Sequence, residues 1–474
     1  MNNRCVSCIL GLGFCLLTVG ATYAQNKYLV FFKDKSNSPY SISNPSKYLS
    51  NRAIARRKRQ KIVITERELP PNPSYLQAIK NLGAKVWYKT RWLNGALIET
   101  DAATLNQILA LPFVKGIQGN GDIRNARLAN DNLSNNKKDK FGTTVVEDYG
   151  FSLNQVKMLC ADSMHLAGYR GEGMWIGVLD SGFLKASQHS SLKDLFTENR
   201  VVGTFDFVQN DPNVYDDHNH GTNVLSCMAG NTSDTLIGTA YKASYLLLRT
   251  EDDASETKIE EANWLFGAEY ADSVGVDVIN SSLGYSQFDN PAQNYTYANM
   301  NGDFALSTQA ADFAAAAGIL VVISAGNAGN SAWQYITAPS DGDSVLCVAA
   351  VNPVGIRMSF SSIGPSADNR IKPDLAAQGS SVVVANANGG FSLSSGTSFA
   401  SPLLAGMAAG FWQANPSLTN VQVMNLLRQS ASQANNPDFL LGFGIPNFKR
   451  AQALVKSLAC SNQSCIPVTI TIVK

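Results

Sequence analysis

A chain of 474 residues that is 45% hydrophobic has the length for two or three domains and the apolar content for a large core, which excludes a disordered protein. The formal net charge is +1, so bulk electrostatics give no reason to expect nucleic acid or a membrane surface as a partner.

Residues 1–24 read as a secretory signal. Arg4 gives a positive start, Ile9 to Val19 is an apolar stretch too short to span a bilayer, and Ala21 to Ala24 offers small residues for cleavage. No later stretch is long and apolar enough for a stable membrane span. The expected location is secreted or periplasmic. Three of the eight cysteines fall in this leader; the other five are Cys160, Cys227, Cys347, Cys460 and Cys465. Their odd count and scattered spacing fit neither a disulfide framework nor a zinc site. A local Cys460–Cys465 bridge and two free thiols both remain open. Cys227, in a helical run, reads as core packing.

Residues 25–118 read as a small α/β domain. Lys27 to Phe32 alternates as a strand, and Ser46 to Gln60 and Pro73 to Leu82 are helical. Lys85 to Trp92 and Ala96 to Thr100 form a hairpin through Leu93-Asn94-Gly95. A helix, Ala102 to Leu111, and a last strand, Phe113 to Ile117, follow. Arg52, Arg56, Arg57, Lys58, Arg59 and Lys61 form one basic run, read as a solvated helix face. Residues 119–148 are polar, have no apolar face, and read as a linker carrying processing sites.

From residue 149 to residue 458 the pattern changes. Apolar runs of buried-strand length recur at Met174 to Leu179, Tyr245 to Leu248, Val276 to Ile279, Ile319 to Ile323 and Val345 to Val351. Helical stretches lie at Thr257 to Val274, Asp303 to Ala317, Phe399 to Trp412 and Asn420 to Ser430. Continuous apolar strands alternating with helices predict an α/β fold: a mainly parallel sheet with helices on both faces. Residues 459–474 are a short tail.

Polar chemistry gathers where the strands end. Asp180-Ser181-Gly182 follows the first strand, His218-Asn219-His220-Gly221-Thr222 opens a helical run, and Gly396-Thr397-Ser398 opens another. A serine hydroxyl is a weak nucleophile at neutral pH and needs a base. Imidazole suits that task, and a carboxylate fixes its tautomer and stabilises its cation. His189 and His218 lack the Gly-Thr that follows His220 and read as surface histidines. Val321 to Asn327 is a strand running into small residues and an amide. Asp206, Asp211, Asp216 and Asp217 lack the spacing of a calcium loop and read as solvated charge. No metal or cofactor is expected.

Gly396-Thr397-Ser398-Phe399-Ala400-Ser401-Pro402 closely resembles the nucleophile motif of the subtilisin-like (S8) serine peptidases. The order Asp, His, Ser is also that of the group. The resemblance implies that Asp180, His220 and Ser398 are the triad and that Asn327 is the oxyanion donor. It implies that Ser282, Leu283 and Gly284 pair with substrate backbone and, with Ser324, Ala325 and Gly326, line the pocket. Residues 25–118 resemble, by pattern, the inhibitory propeptide of such precursors, a small ferredoxin-like domain. Gln378 stands where relatives often carry proline. The expectation is a secreted endopeptidase made as a self-processing proenzyme, whose partners are protein or peptide substrates and its own propeptide. The competing expectation is a pseudoprotease that binds peptides by strand addition.

Overall fold

The computed structural model describes residues 26–118 and 147–461. The leader, most of the linker and the Cys460–Cys465 question lie outside the described residues and side chains.

Residues 26–118 build an antiparallel four-stranded sheet of order β2-β3-β1-β4. The strands are β1 (Asn26–Phe32), β2 (Lys85–Thr90), β3 (Gly95–Thr100) and β4 (Val114–Ile117). The helices are α1 (Asn51–Gln60), α2 (Pro73–Asn81) and α3 (Ala102–Leu109). Ser50, Asn72 and Asp101 cap their first turns with side-chain oxygens. Strand alternation divides the sheet between two cores. Val30, Ala96 and Ile98 join Ile79, Leu105 and Ile108 beneath α2 and α3. Leu29 and Leu97, paired across β1 and β3, face the other way and enter a core shared with the larger domain.

The larger domain begins with α4 (Leu153–Lys157) and α5 (Ala161–Leu166). Next come β5 (Trp175–Asp180), α6 (Lys193–Thr197), β6 (Val201–Asp206) and α7 (His220–Ala229). A short hairpin, β7 (Asn231–Thr232) and β8 (Leu236–Ile237), precedes β9 (Ser244–Arg249), α8 (Lys258–Val274) and β10 (Val278–Ser281). The chain continues through α9 (Leu306–Ala316), β11 (Leu320–Ser324), β12 (Leu346–Val351) and β13 (Leu375–Gln378). A second hairpin, β14 (Val382–Ala385) and β15 (Phe391–Ser394), leads to α10 (Thr397–Ala414), α11 (Asn420–Ser430) and α12 (Phe448–Ser461).

Seven strands form one sheet of order β13-β12-β11-β10-β5-β9-β6, and every neighbouring pair is parallel. Both faces are covered, as continuous apolar strands require. Val178, Leu247 and Val322 pack on one side with α7, α10 and α11. Leu179, Leu246, Leu248, Val321 and Ile323 pack on the other with α8 and α9. After β5 the chain builds β6 and β9 on one flank, then β10 to β13 on the other. The order reverses between β5 and β10, and a crevice opens beyond their carboxyl ends.

The basic run is a solvated face only in part: Lys58, Arg59 and Lys61 are exposed, and Arg56 and Arg57 are not. Arg56 and Arg57 are each 1% exposed and both reach the carboxylate of Asp272 on α8. Arg57 also pairs with Glu68, and Arg91 joins the same Asp272. Three guanidiniums around two buried carboxylates compensate the desolvation that a lone buried charge would not survive. Gln60 adds bonds to Gly318 O (2.6 Å) and from Asn420 N (2.9 Å). Glu269 accepts from the backbone N–H of Arg91 (2.9 Å) and Trp92 (3.2 Å). The small domain is thus held on α8 by an apolar face and a buried polar cluster.

Candidate active site

Asp180 is the last residue of β5 and is fully buried. His220 is the first residue of α7. Two glycines let these segments meet. Gly182 has φ +136°, and an added Cβ there would lie 2.9 Å from the His218 backbone. An added Cβ on Gly221 would lie 2.3 Å from Gly182 O. Only chains without side chains pass this closely. The result is an Asp180 Oδ1–His220 Nδ1 contact of 2.7 Å. Ser181 N donates to the same oxygen at 2.9 Å. Burial pulls the His220 pKa down, but the charge and hydrogen bond of Asp180 outweigh it and hold the imidazole above its ordinary value of 6.5.

Ser398 is the second residue of α10. Its N–H belongs to the first helical turn, where backbone donors have no intrahelical partner. Pro402 lies four residues on and has no N–H, so the Ser398 carbonyl loses its helical bond. The Ser282 hydroxyl replaces it, donating to Ser398 O at 2.8 Å. This ties the end of β10 to the start of α10. In return Ser398 Oγ donates to Ser282 O at 3.4 Å. The next side chain, Phe399, lies against the His220 ring with centroids 5.9 Å apart.

Asn327 follows β11 and is exposed. Its Oδ1 accepts from Thr397 N and Thr397 Oγ1, both at 2.9 Å. A Cβ added to Gly396 would lie 3.5 Å from Nδ2. The amide oxygen is thus committed to Thr397, and the amide nitrogen lies beside Gly396.

Ser282, Ser324 and Ala325 are buried, Leu283 and Gly326 half-buried, and Gly284 exposed. Strand β10 stops at Ser281, and pairing resumes only at Tyr285, which bonds Ala338 in both directions (2.7 and 3.2 Å). Among the described residues, no hydrogen bond engages the Leu283 or Gly284 backbone. An extended peptide could add there as a strand.

Other sequence readings change. His189 is buried at 3% exposure, with Nε2 against Gly390 O at 2.8 Å, and is not a surface histidine. Asp206 is 1% exposed and pairs with Arg249, which also pairs with Asp217, each at 2.8 Å. These two aspartates are internal ion-pair partners rather than solvated charge. A different trio, Glu251, Glu256 and Glu260, brings carboxylate oxygens within 4.8 Å of one another. Burial raises all three pKa values, Glu256 to about 7 and Glu260 to about 9. The dense acidic stretch from Glu251 to Glu261 was its sequence signal. Cys227 is fully buried in α7, as expected of core packing. The roles of Thr397 and Ser181 had only one signal, adjacency to Ser398 and Asp180.

Family comparison agrees with this architecture. Residues 171–444, more than half of the chain, match the subtilase family, peptidase S8. Residues 27–139 match the peptidase S8 propeptide domain of Bacteroidota. Subtilisin NAT of Bacillus subtilis subsp. natto is 29% identical over 377 residues, 79% of this chain and 84% of that protein. Subtilisin DY of Bacillus licheniformis is 32% identical over 298 residues, 62% of this chain and 97% of that protein. Among the described residues no helix is long and apolar enough to cross a membrane. The chain belongs to the subtilase family: it is a serine endopeptidase that carries an S8 propeptide domain.

Proposed function

We propose that Ser398 attacks the peptide carbonyl, with His220 as the base that takes its proton and returns it to the leaving amine. Asp180 orients His220 and stabilises its cation. Asn327 Nδ2 and the Ser398 N–H receive the negative charge that builds on the carbonyl oxygen. Water then repeats the sequence on the acyl-enzyme. Protein or peptide substrates lie along Leu283 and Gly284, and the side chain before the scissile bond enters between Ser282 and Ser324-Ala325-Gly326. The observation that carries this reading is the 2.7 Å Asp180–His220 contact at the mouth of the crevice that α10 enters with Ser398. The resting Ser398 hydroxyl turns from Ser282 O to His220 when substrate arrives.

The protein is made with a signal at 1–24 and is secreted or reaches a periplasm. Residues 25–118 inhibit the catalytic domain, 149–458, until Ser398 cuts the linker. Residue 118 is still tied to β1, since Gln118 N donates to Leu29 O at 2.9 Å. Extended chain covers about 3.3 Å per residue, so the first cut falls within roughly ten residues after Ile117. The rest of the linker is trimmed later, to near residue 148 or 149. Amino-terminal sequencing during refolding tests this: two species should appear in order, and the Ser398→Ala precursor should yield neither. Cleavage of that mutant at the same place, in a protease-free preparation, overturns self-processing.

A further inference from the structure

His218 stands two residues before His220, and its ring lies nearly parallel to the His220 ring, at 15° with centroids 6.4 Å apart. Its Nδ1 meets Ser181 Oγ at 2.9 Å, and its Nε2 faces Asp253 Oδ2 at 3.4 Å. Ser181 Oγ is in turn 3.4 Å from Asp180 Oδ1, the oxygen that holds His220. A continuous polar path therefore runs from Asp253 to the His220–Asp180 pair.

We propose that His218 is a positioning residue for this pair, acting on Asp180 through the Ser181 hydroxyl and on His220 through its own charge.

The path has two settings. With a single proton, on Nε2 toward Asp253, His218 accepts the Ser181 hydroxyl hydrogen at Nδ1. With a second proton on Nδ1, His218 donates to Ser181 Oγ, and the hydroxyl hydrogen turns to Asp180 Oδ1. That oxygen already accepts from His220 Nδ1 and Ser181 N. A third donor draws charge from the carboxylate and weakens its hold on the His220 cation. The positive ring opposes that cation directly. Both effects have one sign: protonated His218 keeps His220 neutral, and so competent as a base, to lower pH.

Among the described residues, charged groups are set around His218 from three elements. Asp253, after β9, pairs with it. Asp180 and His220 face it from β5 and α7. Arg249, at the end of β9, donates to Ser181 O at 3.2 Å, but Asp206 and Asp217 neutralise it. Asp253 is also among the groups that raise the His220 pKa.

This inference rests on His220 being the base, so the test needs no turnover. The full chain carrying Ser398→Ala is labelled with nitrogen-15 histidine, and the His220 ring is titrated by NMR. A unit charge at 6.4 Å in water shifts a midpoint by about half a pH unit. His218→Gln should raise the His220 midpoint, by at most about that much. His218→Asn should move it the same way, and it reports even if the first variant fails to fold. Ser181→Ala should shrink the effect of His218→Gln, because only the direct charge remains. A His220 midpoint unmoved by His218→Gln and by His218→Asn overturns the proposal. In the active enzyme the acid limb of kcat/KM should move in the same direction as the midpoint. A purely structural His218 would change the height of that profile and leave its midpoint alone.

Discussion

Thr397 fixes which end of the Asn327 amide faces the crevice: its N–H and its hydroxyl both donate to Asn327 Oδ1 at 2.9 Å. The amide oxygen is thereby occupied, and the nitrogen is the end left for the oxyanion role proposed above. Asn327→Ala should keep Ser398 and His220 intact and leave weak, measurable hydrolysis. The expected loss, about 10²–10³ in kcat, is that of the oxyanion amide of subtilisin, a relative of this chain, and is carried over rather than obtained from this geometry. Thr397→Val removes one of the two anchors and should cost about fivefold, a single neutral hydrogen bond. In that background Asn327→Ala should cost less than it does alone, since the amide is already loosened. Steady-state kinetics on the double-mutant cycle check this.

Ser282→Ala should destabilise the domain. It strips the Ser398 carbonyl of the hydroxyl that stands in for the missing Pro402 N–H. An unsatisfied buried carbonyl costs about 1–3 kcal/mol. Pairing Ser282→Ala with Pro402→Ala restores a helical donor and should recover part of the loss. Thermal denaturation of the Ser398→Ala protein and its variants measures both without self-digestion.

The buried cluster predicts how the propeptide binds. Burial pushes Asp272 upward, but Arg91, Arg56 and Arg57 outweigh it and hold the carboxyl well below its ordinary value of 3.8. A depressed carboxylate contributes stability above that ordinary value and loses it only as pH falls through the folded value. The cluster therefore holds at neutral and mildly acidic pH. Asp272→Asn leaves three guanidiniums facing a neutral amide. Breaking a buried pair costs about 3–5 kcal/mol, so inhibition by the released propeptide should weaken by about 10²-fold or more. An inhibition constant within a factor of a few of the wild-type value would refute a binding role for the cluster.

The pH dependence follows from His220. Its pKa is held above 6.5, so the base proposed at His220 is lost, as pH falls, from a point above that value. The acid limb of kcat/KM should have its midpoint there. Asp180→Asn removes the charge that outweighs burial, so the limb should move to lower pH while the rate drops. The stability link has the matching sign. A raised histidine contributes fully below 6.5, and this contribution is lost as pH rises through the folded value.

What the sequence made legible depended on how local each signal was. Strands β5, β9, β10, β11 and β12 stood out because burial on both faces makes them continuous apolar runs. The sheet-edge strand β6 was not read, because Gly203 and Thr204 interrupt it and it is only half-buried. Helix α12 falls largely inside the expected domain, 149–458, but was not among the helical stretches read, though Phe448 and Ala451 pack into the main core. Arg56 and Arg57 looked solvated because their compensating carboxylate lies more than 200 positions away, on another domain. The Asn327 anchor was hidden for the same reason. A side chain's polarity is visible in sequence, but the partner that orients it is not.

Everything proposed for this site turns on Ser398 being a nucleophile made reactive by His220 and Asp180. The most direct measurement is reaction of the mature enzyme with a fluorophosphonate, followed by mass spectrometry of the labelled peptide. One adduct is expected, on Ser398, formed with loss of hydrolysis and abolished in His220→Ala. Unimpaired hydrolysis after full labelling, or an adduct on another residue with Ser398 untouched, would contradict it.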